Sequence, residues 1–419
     1  MVSMETDPVK IAEAKQAGAD AFLVKPVYKD SLEQCLKQLG ALPSVSTAKA
    51  AGPTRSAQPT AASLNRSPNS LRRVMVVDDS VVIRRTLVKV LEEAPDIEVA
   101  ATAADGRIAL ESLGRSVPDV VLLDVEMPNM NGLETLKELR NRYPKLPVIM
   151  FSALTERGAS VTLEALMLGA DDYVPKPTEV SNFRVAQQCI RDELLPRIRD
   201  LTSHGVPIQG GLAVPSTAAG TRHYPQKVEI VVVGVSTGGP LALAKLLPHF
   251  APNCPVPIVI VQHMPPLFTR HLAERLSKLG SFSVVEGSAG QVLKNGEVVI
   301  APGGHHLLLK RQHGRLAVEL SEAPPEHSCR PAVDVLFRSA AEICKGGTLA
   351  VVMTGMGKDG LKGSEAIVAA GGTVFCQDEA SSVVWGMPGQ VAQAGLAEAV
   401  IPLEKLGAAL SQRSAVRRS

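Results

Sequence analysis

Five polar residues follow strand-like runs in one part of the chain, and together they could bind a metal ion and an anion. Their positions are Asp78 and Asp79 after RVMVV, Asp124 after PDVVLL, Ser152 after PVIMF and Lys176 after DDYV. The carboxyl ends of parallel strands meet at one edge of a sheet, so these side chains should converge. Carboxylates packed so closely repel one another, and a few hard oxygen ligands completed by water suit Mg²⁺. The lysine beside them predicts a further anion, such as a phosphoryl group on one of the aspartates.

Any one of these residues also has a simpler explanation. Asp and Ser commonly end strands and cap the helices that follow them. That explanation would leave five suitable residues at the strand ends of one domain by coincidence. The acidic cluster is therefore the better interpretation of this part of the sequence.

A second group of three residues could perform nucleophilic catalysis. The turn GVSTGG (234–239) matches G-x-S-x-G, a strained strand-to-helix turn that lifts Ser236 above a sheet. The next strand-like run, PIVIVQH, ends at His263, and TLAVVMT runs into GMGKDG with Asp359. A serine nucleophile needs a base within hydrogen-bond reach and a carboxylate that orients this base. The order Ser, His, Asp differs from that of α/β-hydrolases, which predicts another fold family with the same chemistry.

Two alternatives compete with this triad. GVSTGG by itself is short enough to be a tight turn with a capping serine or threonine. GMGKDG (355–360) also reads as G-x-G-x-x-G after a strand, and Asp378 follows about 20 residues later, as in dinucleotide-binding sites. Against a nucleotide site, the motif comes late in its domain and would leave GVSTGG and His263 without a role.

The remaining histidines are weaker candidates. His305 and His306 adjoin each other in APGGHH and point in different directions on an extended chain, which argues against a shared metal. We predict that they are loop and packing residues near the rim of the site. His249 and His271 lie in helical patterns, where we expect surface positions.

The elements that must position these residues form two bodies. Linkers at 41–72 and 201–227 separate a first body, 73–200, from a second body, 228–412. In the second body the strand-like runs are VEIVVVGV, PIVIVQH, EVVIA, TLAVVMT and TVFCQ. Short runs rich in Val and Ile, separated by helical patterns, are typical of parallel strands buried on both faces. We predict that both bodies are doubly wound α/β domains with parallel sheets.

Composition narrows the class of protein. The 419 residues include 44 basic and 42 acidic side chains, so the net charge of +2 lacks the basic excess of a protein that coats nucleic acid. The N-terminus has no signal pattern, and no apolar run is long enough to span a bilayer. Six scattered cysteines form no C-x-x-C pair, which predicts buried thiols in a reducing compartment. We expect a cytoplasmic monomer without a nucleic-acid partner or direct membrane insertion.

The first body resembles a known family. The motifs VMVVDDS, LLDVEMPNMNGLETL, IMFSA and YVPKP resemble the receiver domain of two-component response regulators, a flavodoxin-like fold, over about 73–195. The resemblance implies that Asp124 accepts a phosphoryl group from a histidine kinase and that Ser152 and Lys176 contact its oxygens. The Mg²⁺ ligands that it implies are Asp78, Asp79, Asp124 and the backbone carbonyl of Glu126.

The N-terminal segment repeats a part of this pattern. GADAFLVKP at 18–26 nearly copies GADDYVPKP at 169–177, so Lys25 matches Lys176, but no acidic pair or acceptor aspartate comes with it. A fragment with one strand cannot form a sheet or a core alone. We interpret 1–40 as a partial receiver-like fragment, either because the chain begins inside a longer tandem-receiver protein or as a remnant that docks on a partner. We favour the first explanation and assign the fragment no chemistry.

The second body also resembles a family. The motifs VGVSTGGPLAL, VIVQHMPPLFT, VIAPGGHHLLL, RPAVDVLFRSAA, VVMTGMGKDG and QDEASSVVWGMP resemble the catalytic domain of the chemotaxis protein-glutamate methylesterases over about 228–405. Receiver, linker and esterase in this order also match that family. Val235 stands where the family commonly has alanine, and CRPAVD stands where a His-Arg-Pro-Ser form is frequent. The second departure is expected to affect substrate contact at Arg330.

This resemblance implies an enzyme that hydrolyses glutamate methyl esters on methylated chemoreceptors and deamidates certain receptor glutamines. The catalytic residues that it implies are Ser236, His263 and Asp359, and the pocket residues are Thr237, Met356 and Arg330. The ester step would need no metal or organic cofactor, and the unphosphorylated receiver would cover the esterase site. Two other classes remain open, namely a phosphorylation-controlled module that binds a nucleotide and a scaffold with inactive domains.

Overall fold

The computed structural model describes residues 2–3, 23–24, 71–153, 155–176, 183–203 and 227–415. In the N-terminal segment, strands β1 (Val2–Ser3) and β2 (Leu23–Val24) pair in parallel. The rest of the predicted fragment 1–40, including Lys25, lies outside the described residues. The same holds for most of the two predicted linkers.

The first body is built on a parallel sheet of five strands in the order β4-β3-β5-β6-β7. Its strands are β3 (Arg72–Val77), β4 (Ile97–Ala103), β5 (Val120–Asp124), β6 (Val148–Ser152) and β7 (Asp172–Pro175). Its helices are α1 (Val81–Glu92), α2 (Gly106–Leu113), α3 (Gly132–Arg142), α4 (Glu156–Met167) and α5 (Phe183–Leu201). This arrangement confirms the predicted doubly wound fold.

The sequence patterns did not predict strand β4. It lies at the edge of the sheet, and only Ile97 and Ala103 at its two ends are buried. The sequence IEVAATA therefore lacks the continuous apolar run of a strand that is buried on both faces. Its register with β3 also shifts between Val74 and Met75, where the edge strand carries an irregularity.

Local sequence explains where the helices of the first body begin. Ser80, Asp105, Asn131 and Thr155 each cap a helix by accepting a hydrogen bond from a backbone N–H in its first turn. A Cβ atom at Gly132 would lie 2.2 Å from the carbonyl oxygen of Asp124. Glycine therefore allows α3 to start directly against the strand that ends in Asp124.

The second body contains a parallel sheet of seven strands in the order β10-β11-β9-β8-β14-β15-β16. These strands are β8 (Ile230–Val235), β9 (Ile258–Gln262), β10 (Val284–Glu286), β11 (Val298–Ile300), β14 (Thr348–Val352), β15 (Thr373–Gln377) and β16 (Ala399–Ile401). The helices are α6 (Gly239–Phe250), α7 (Phe268–Ser277), α8 (Val333–Cys344), α9 (Leu361–Ala369), α10 (Met387–Gln393) and α11 (Leu403–Ala415). The predicted doubly wound fold is confirmed here as well.

The second body has further elements that the sequence patterns did not reveal. An antiparallel hairpin joins β12 (His306–Gln312) and β13 (Arg315–Ser321) beside the main sheet. Strands β10 and β16 have three residues each and lie at the two edges, which is too short for a clear apolar run.

The centre of the seven-stranded sheet positions the candidate triad. Strands β9, β8 and β14 are neighbours, and the register pairs Val235 with Gln262 and Gly234 with Val352. Ser236 and His263 therefore each follow a strand at the same level of the sheet. This is the carboxyl edge at which sites form in open α/β sheets.

The two bodies pack against each other through α4 of the first and helices α6 and α7 of the second. Tyr173 stacks on Phe268 with ring centroids 4.8 Å apart and planes 11° from parallel. Two ion pairs flank this apolar contact, Arg270 with Glu156 at 2.8 Å and Arg275 with Glu164 at 3.0 Å. One continuous cluster of buried apolar side chains runs through both bodies.

Two predictions from composition can be compared with the structure. Cys254, Cys344 and Cys376 are buried, and burial raises the pKa of the last two thiols to about 12. The expectation of buried thiols is wrong for Cys189, which is exposed on α5, and for Cys329, which is half-buried in a loop. Among the described helices, none combines the length and apolar character needed to cross a bilayer.

Candidate functional site

The acidic cluster of the first body forms as predicted from the strand ends. Carboxylate oxygens of Asp78, Asp79 and Asp124 lie within 4.8 Å of one another. Asp78 and Asp124 are buried, whereas Asp79 is exposed. Lys176 Nζ lies 2.7 Å from Asp124 Oδ2 and 3.1 Å from Asp78 Oδ2. The lysine therefore balances part of the negative charge that the strands bring together.

Burial and charge strongly perturb this cluster. Burial raises the pKa of the Asp124 carboxyl, Asp78 adds to that effect, and Lys176 opposes it. Burial would lower the pKa of Lys176, but the two carboxylates outweigh it and raise that pKa. Beyond the lysine ammonium, the buried Oδ2 atoms of Asp78 and Asp124 have no hydrogen-bond partner. Such oxygens fit a hard cation, so the residues suit Mg²⁺.

The other predicted residues of this site are less engaged with the cluster. Ser152 is buried, but its hydroxyl accepts a hydrogen bond from Thr162 Oγ1 at 2.6 Å and faces α4. The Glu126 side chain is exposed and lies 3.6 Å from Arg157. Only the backbone carbonyl of Glu126 was predicted as a ligand, so this ion pair leaves that prediction untouched.

In the second body, two of the three predicted catalytic residues are in direct contact. His263 Nε2 lies 2.8 Å from Asp359 Oδ2. Asp359 is 1% exposed, and its oxygens accept backbone N–H groups from Val333 at 2.7 Å, Asp334 at 2.8 Å and Gly360 at 2.9 Å. The carboxylate is thus fixed, and it fixes one end of the imidazole.

Ser236 lies in a turn that is braced from the neighbouring strand. Its carbonyl accepts the N–H of Gly239 at 2.8 Å and Nε2 of Gln262 at 2.9 Å. A Cβ atom at Gly239 would lie 1.9 Å from Gln262 Oε1, so glycine is required for this close approach. Within the described residues, the Ser236 hydroxyl forms no hydrogen bond to His263. Such bonds are often long before substrate binds.

The electrostatics of the histidine follow from its partner. Burial by itself would lower the pKa of His263, but the hydrogen bond to Asp359 and the adjacent Cys329 side chain raise this pKa to about 10. Burial would raise the pKa of Asp359, yet His263 and the backbone donors lower it. Both shifts favour an imidazolium–carboxylate pair.

The first body lies directly against the serine turn. Thr237 Oγ1 donates to Asp172 Oδ2 at 2.6 Å, and the N–H of Gly238 donates to the carbonyl of Asp171 at 3.0 Å. Met356 packs with Val383 and Val384 against the apolar cluster of the first body. Two of the predicted pocket residues, Thr237 and Met356, are therefore covered by the first body.

The third predicted pocket residue, Arg330, is held within its own loop. Its guanidinium donates to the carbonyl oxygens of Glu322 at 2.9 Å and Ala323 at 3.2 Å. The loop also brings Cys329 to His263. The loop of Arg330 thus reaches the triad through Cys329, whereas the arginine side chain is bonded to the backbone of its own loop.

Comparison with known proteins decides the family. A CheB methylesterase family model matches residues 231–410, and a response regulator receiver domain model matches residues 74–187. A protein-glutamate methylesterase/protein-glutamine glutaminase of Trichodesmium erythraeum (strain IMS101) is 49% identical over 346 residues, which cover 81% of this chain and 98% of that protein. This chain belongs to the protein-glutamate methylesterase/protein-glutamine glutaminase family.

Two further proteins are similar to this chain. The protein-glutamate methylesterase/protein-glutamine glutaminase of Nocardioides sp. (strain ATCC BAA-499 / JS614) is 49% identical over 353 residues, which cover 83% of this chain and 96% of that protein. The crystal structure of the Thermotoga maritima CheB methylesterase catalytic domain has 45% identity and a TM-score of 0.44, and the match covers 45% of this chain and 99% of that one. As a member of the methylesterase/glutaminase family, the protein is a carboxylic ester hydrolase that carries a receiver domain.

Membership of the methylesterase family also weakens the nucleotide alternative. Asp378 accepts hydrogen bonds from the backbone N–H and the hydroxyl of Ser381, within its own turn. The Asp359 carboxylate of GMGKDG is directed at His263. The motif follows β14, a central strand, and its last glycine, Gly360, caps α9 with a φ of 94°.

The structure corrects one of the predictions about the other histidines. His306 is buried and accepts the N–H of Ala332, which agrees with a packing role. The surface position expected for His271 is wrong, because its side chain on α7 is only 18% exposed and faces the first body. It pairs with Glu274 at 3.4 Å and lines a cavity of 350 Å³ with Ser160.

Sequence reasoning missed several residues that support the site. Gln262 braces the Ser236 turn, and Thr354 accepts the backbone N–H groups of Val383 and Val384. Gln262 carried a usable signal, since a polar side chain directly before His263 interrupts a buried strand. No sequence signal could have shown that Asp172 of the first body reaches the turn.

Proposed function

We propose that Ser236, His263 and Asp359 form the catalytic triad of a phosphorylation-controlled chemoreceptor methylesterase and glutaminase. Its receiver would span 73–200 and its catalytic body 228–412. The observation that carries the proposal is the buried His263–Asp359 pair, which follows the strands beside the Ser236 turn. A serine, an oriented base and a fixed carboxylate are the parts that acyl transfer needs.

The reaction would proceed through an acyl-enzyme. Ser236 Oγ forms a bond to the carbonyl carbon of the glutamate methyl ester while its proton passes to His263. His263 then returns the proton to the departing methoxide, and methanol leaves. Water attacks the acyl-enzyme with His263 again as the base, which releases the glutamate carboxylate and free Ser236. With a glutamine substrate the leaving group is ammonia.

Backbone N–H groups would stabilise the oxyanion that forms in each step. The N–H groups of Thr237 and Met356 donate to no acceptor among the described residues, although both lie beside Ser236. The residue after the nucleophile supplies such a donor in many serine hydrolases. Each oxyanion donor typically contributes about 10²–10³ in rate.

The receiver would accept a phosphoryl group on Asp124 from a chemotaxis histidine kinase. Asp78, Asp79, Asp124 and the Glu126 carbonyl would hold Mg²⁺, which supplies charge neutralisation for phosphoryl transfer. The buried Asp78 Oδ2 and Asp124 Oδ2, whose partner is the Lys176 ammonium, support this set. Lys176 would then pair with the phosphoryl group in place of the bare carboxylates.

Phosphorylation would control the esterase by weakening the contact between the two bodies. Asp172 and Asp171 hold Thr237 and Gly238, so substrate cannot occupy the space beside the serine turn while the receiver is docked. A modification shifts such an equilibrium only by favouring the open state over the closed one.

An Asp124→Asn variant should be weakly active and insensitive to phosphodonor, because the acceptor oxygen is lost and the closed state persists. The measurement is methanol release from methylated receptor membranes, with and without Mg²⁺ and a small-molecule phosphodonor. Wild-type release should rise when both are added, whereas release by the variant should not change. If the untreated variant matched the phosphorylated wild type, the covering role of the receiver would be wrong.

The pH dependence should report the His263–Asp359 pair. Since the pKa of His263 is raised to about 10, His263 should remain protonated through its ordinary range near 6.5 and become a competent base only at higher pH. An NMR titration of the labelled imidazole checks this, and the pKa should fall in Asp359→Asn. A wild-type midpoint at or below 6.5 would mean that burial outweighs the bond to Asp359 and would overturn this prediction.

A further inference from the structure

A second imidazole–carboxylate pair lies next to the triad. His327 Nε2 is 2.9 Å from Asp334 Oδ2, and the Asp334 side chain is 0% exposed. A buried carboxylate is costly unless charge and hydrogen bonds compensate it. Asp334 has such compensation, because its Oδ1 also accepts the N–H groups of Gly360 at 3.0 Å and Gly363 at 2.7 Å.

Asp334 is joined to the catalytic carboxylate through shared backbone donors. The N–H of Asp334 donates to Asp359 Oδ1 at 2.8 Å. The N–H of Gly360 lies between both side chains, 3.0 Å from Asp334 Oδ1 and 2.9 Å from Asp359 Oδ1. A change in the Asp334 side chain would therefore displace the groups that fix Asp359.

His327 lies in the loop that brings Cys329 to His263. His327 and Ser328 have φ angles of 51° and 61°, in the left-handed region that residues with side chains rarely adopt. Strain of this kind persists only where surrounding contacts impose it. The backbones of Glu326 and Cys329 are paired across this turn, which places Cys329 at His263.

The same groups could be considered as a metal site, but their lone pairs are already used. Ligand atoms of His327, Asp334 and Asp359 lie within 4.8 Å of one another. Asp359 Oδ2 already accepts the His263 ring and the N–H of Val333. The hydrogen-bonded pair is therefore the better description of this cluster.

We infer that His327 and Asp334 are positioning residues for the esterase reaction. The pair holds the 326–330 loop in its strained turn, so that Cys329 closes one side of His263 and the loop shapes the path of the receptor side chain. It acts on the reaction through the loop and through Asp359, and it does not touch the reacting atoms. The inference rests on the proposed role of the triad and deepens it.

Removing the imidazole should loosen the loop without unfolding the protein. In His327→Ala we expect kcat/KM for methanol release to fall about tenfold, mostly through KM, because a hydrogen bond to a charged group is lost while the triad atoms remain. His327→Gln should recover most of this loss, since its amide N–H can reach Asp334. His313→Ala removes an exposed histidine from the β12–β13 turn and serves as the matched control.

A second readout does not depend on turnover. The rate of alkylation of Cys329, followed by mass spectrometry and divided by the rate at exposed Cys189, should rise at least about fivefold in His327→Ala and return toward wild type in His327→Gln. An unchanged Cys329 ratio together with an unchanged KM would overturn the positioning role. A fall in kcat/KM that accompanies a lowered Tm, and that His327→Gln does not reverse, would also overturn it. The alkylation ratio is informative even if wild type releases no methanol, an outcome that would instead refute the proposed function.

Discussion

Replacement of Ser236 by alanine should lower methanol release from methylated receptor membranes by about 10⁴-fold or more, since removing the nucleophile of a serine hydrolase removes the acyl-enzyme route. The turn itself should survive, because the bonds that brace it use the Ser236 carbonyl, with Gly239 and Gln262 as donors. The variant should also keep its receiver contact, which is made by Thr237 and Gly238.

Three samples make this test specific. The assay compares wild type, Ser236→Ala and Ser288→Ala, each with Mg²⁺ and phosphodonor. Ser288 is exposed in the same body, so its replacement should leave release unchanged. Release by Ser236→Ala that remained within tenfold of wild type would exclude Ser236 as the nucleophile. No release from wild type would point to a different substrate or to the nucleotide alternative.

The sequence alone predicts where the strands that carry the two sites end, because each of these strands has its own apolar pattern. Strands β5, β8 and β9 are buried along their whole length, so each is an apolar run that ends at a polar residue or directly before one. Asp124 ends one of these runs and His263 follows another. Parallel pairing then brings such ends together without further information.

The remaining parts of the site depend on contacts between distant segments. Asp172 reaches Thr237 only because the two bodies dock, and neither sequence segment shows a pattern for docking. His327 and Asp334 lie near each other in the chain, but their proposed role depends on Asp359, which follows another strand and shares backbone donors with Asp334. Strand β4 was missed for a different reason, since an edge strand need not be apolar.

Under the proposed function, strand β7 would connect a phosphorylated Asp124 with the esterase body. Asp172 at its start bonds to Thr237, and Lys176 just beyond its end pairs with Asp124. At about 3.3 Å per residue the two side chains are about 13 Å apart along one strand. A phosphoryl group that redirects Lys176 would therefore pull on the same segment that holds the serine turn. Tyr173, between these ends, stacks on Phe268 and would carry the movement to α7.

Reversing two charges on the receiver should release the esterase without phosphorylation. In Glu156→Arg with Glu164→Arg, two attractive pairs with Arg270 and Arg275 become repulsive. Partly exposed pairs contribute about 0.2–1 kcal/mol each, and repulsion adds a similar amount. The combined change of about 1.4 kcal/mol corresponds to a tenfold shift of the closed–open equilibrium. Methanol release without phosphodonor should therefore rise by up to about tenfold, and less at high salt.

The complementary exchange separates interface electrostatics from damage to the receiver. Adding Arg270→Glu and Arg275→Glu restores opposite charges across the same contact, so unstimulated release should return toward wild type and phosphodonor should stimulate it again. Glu138→Arg is the matched control, because Glu138 pairs with Arg142 within one helix and its reversal should leave release unchanged. If the receiver reversals left unstimulated release at the wild-type level, or if the exchanged variant stayed active, these ion pairs would not hold the closed state. The closed state would then depend on the stack of Tyr173 on Phe268 and on the bonds that Thr237 and Gly238 donate to Asp172 and Asp171.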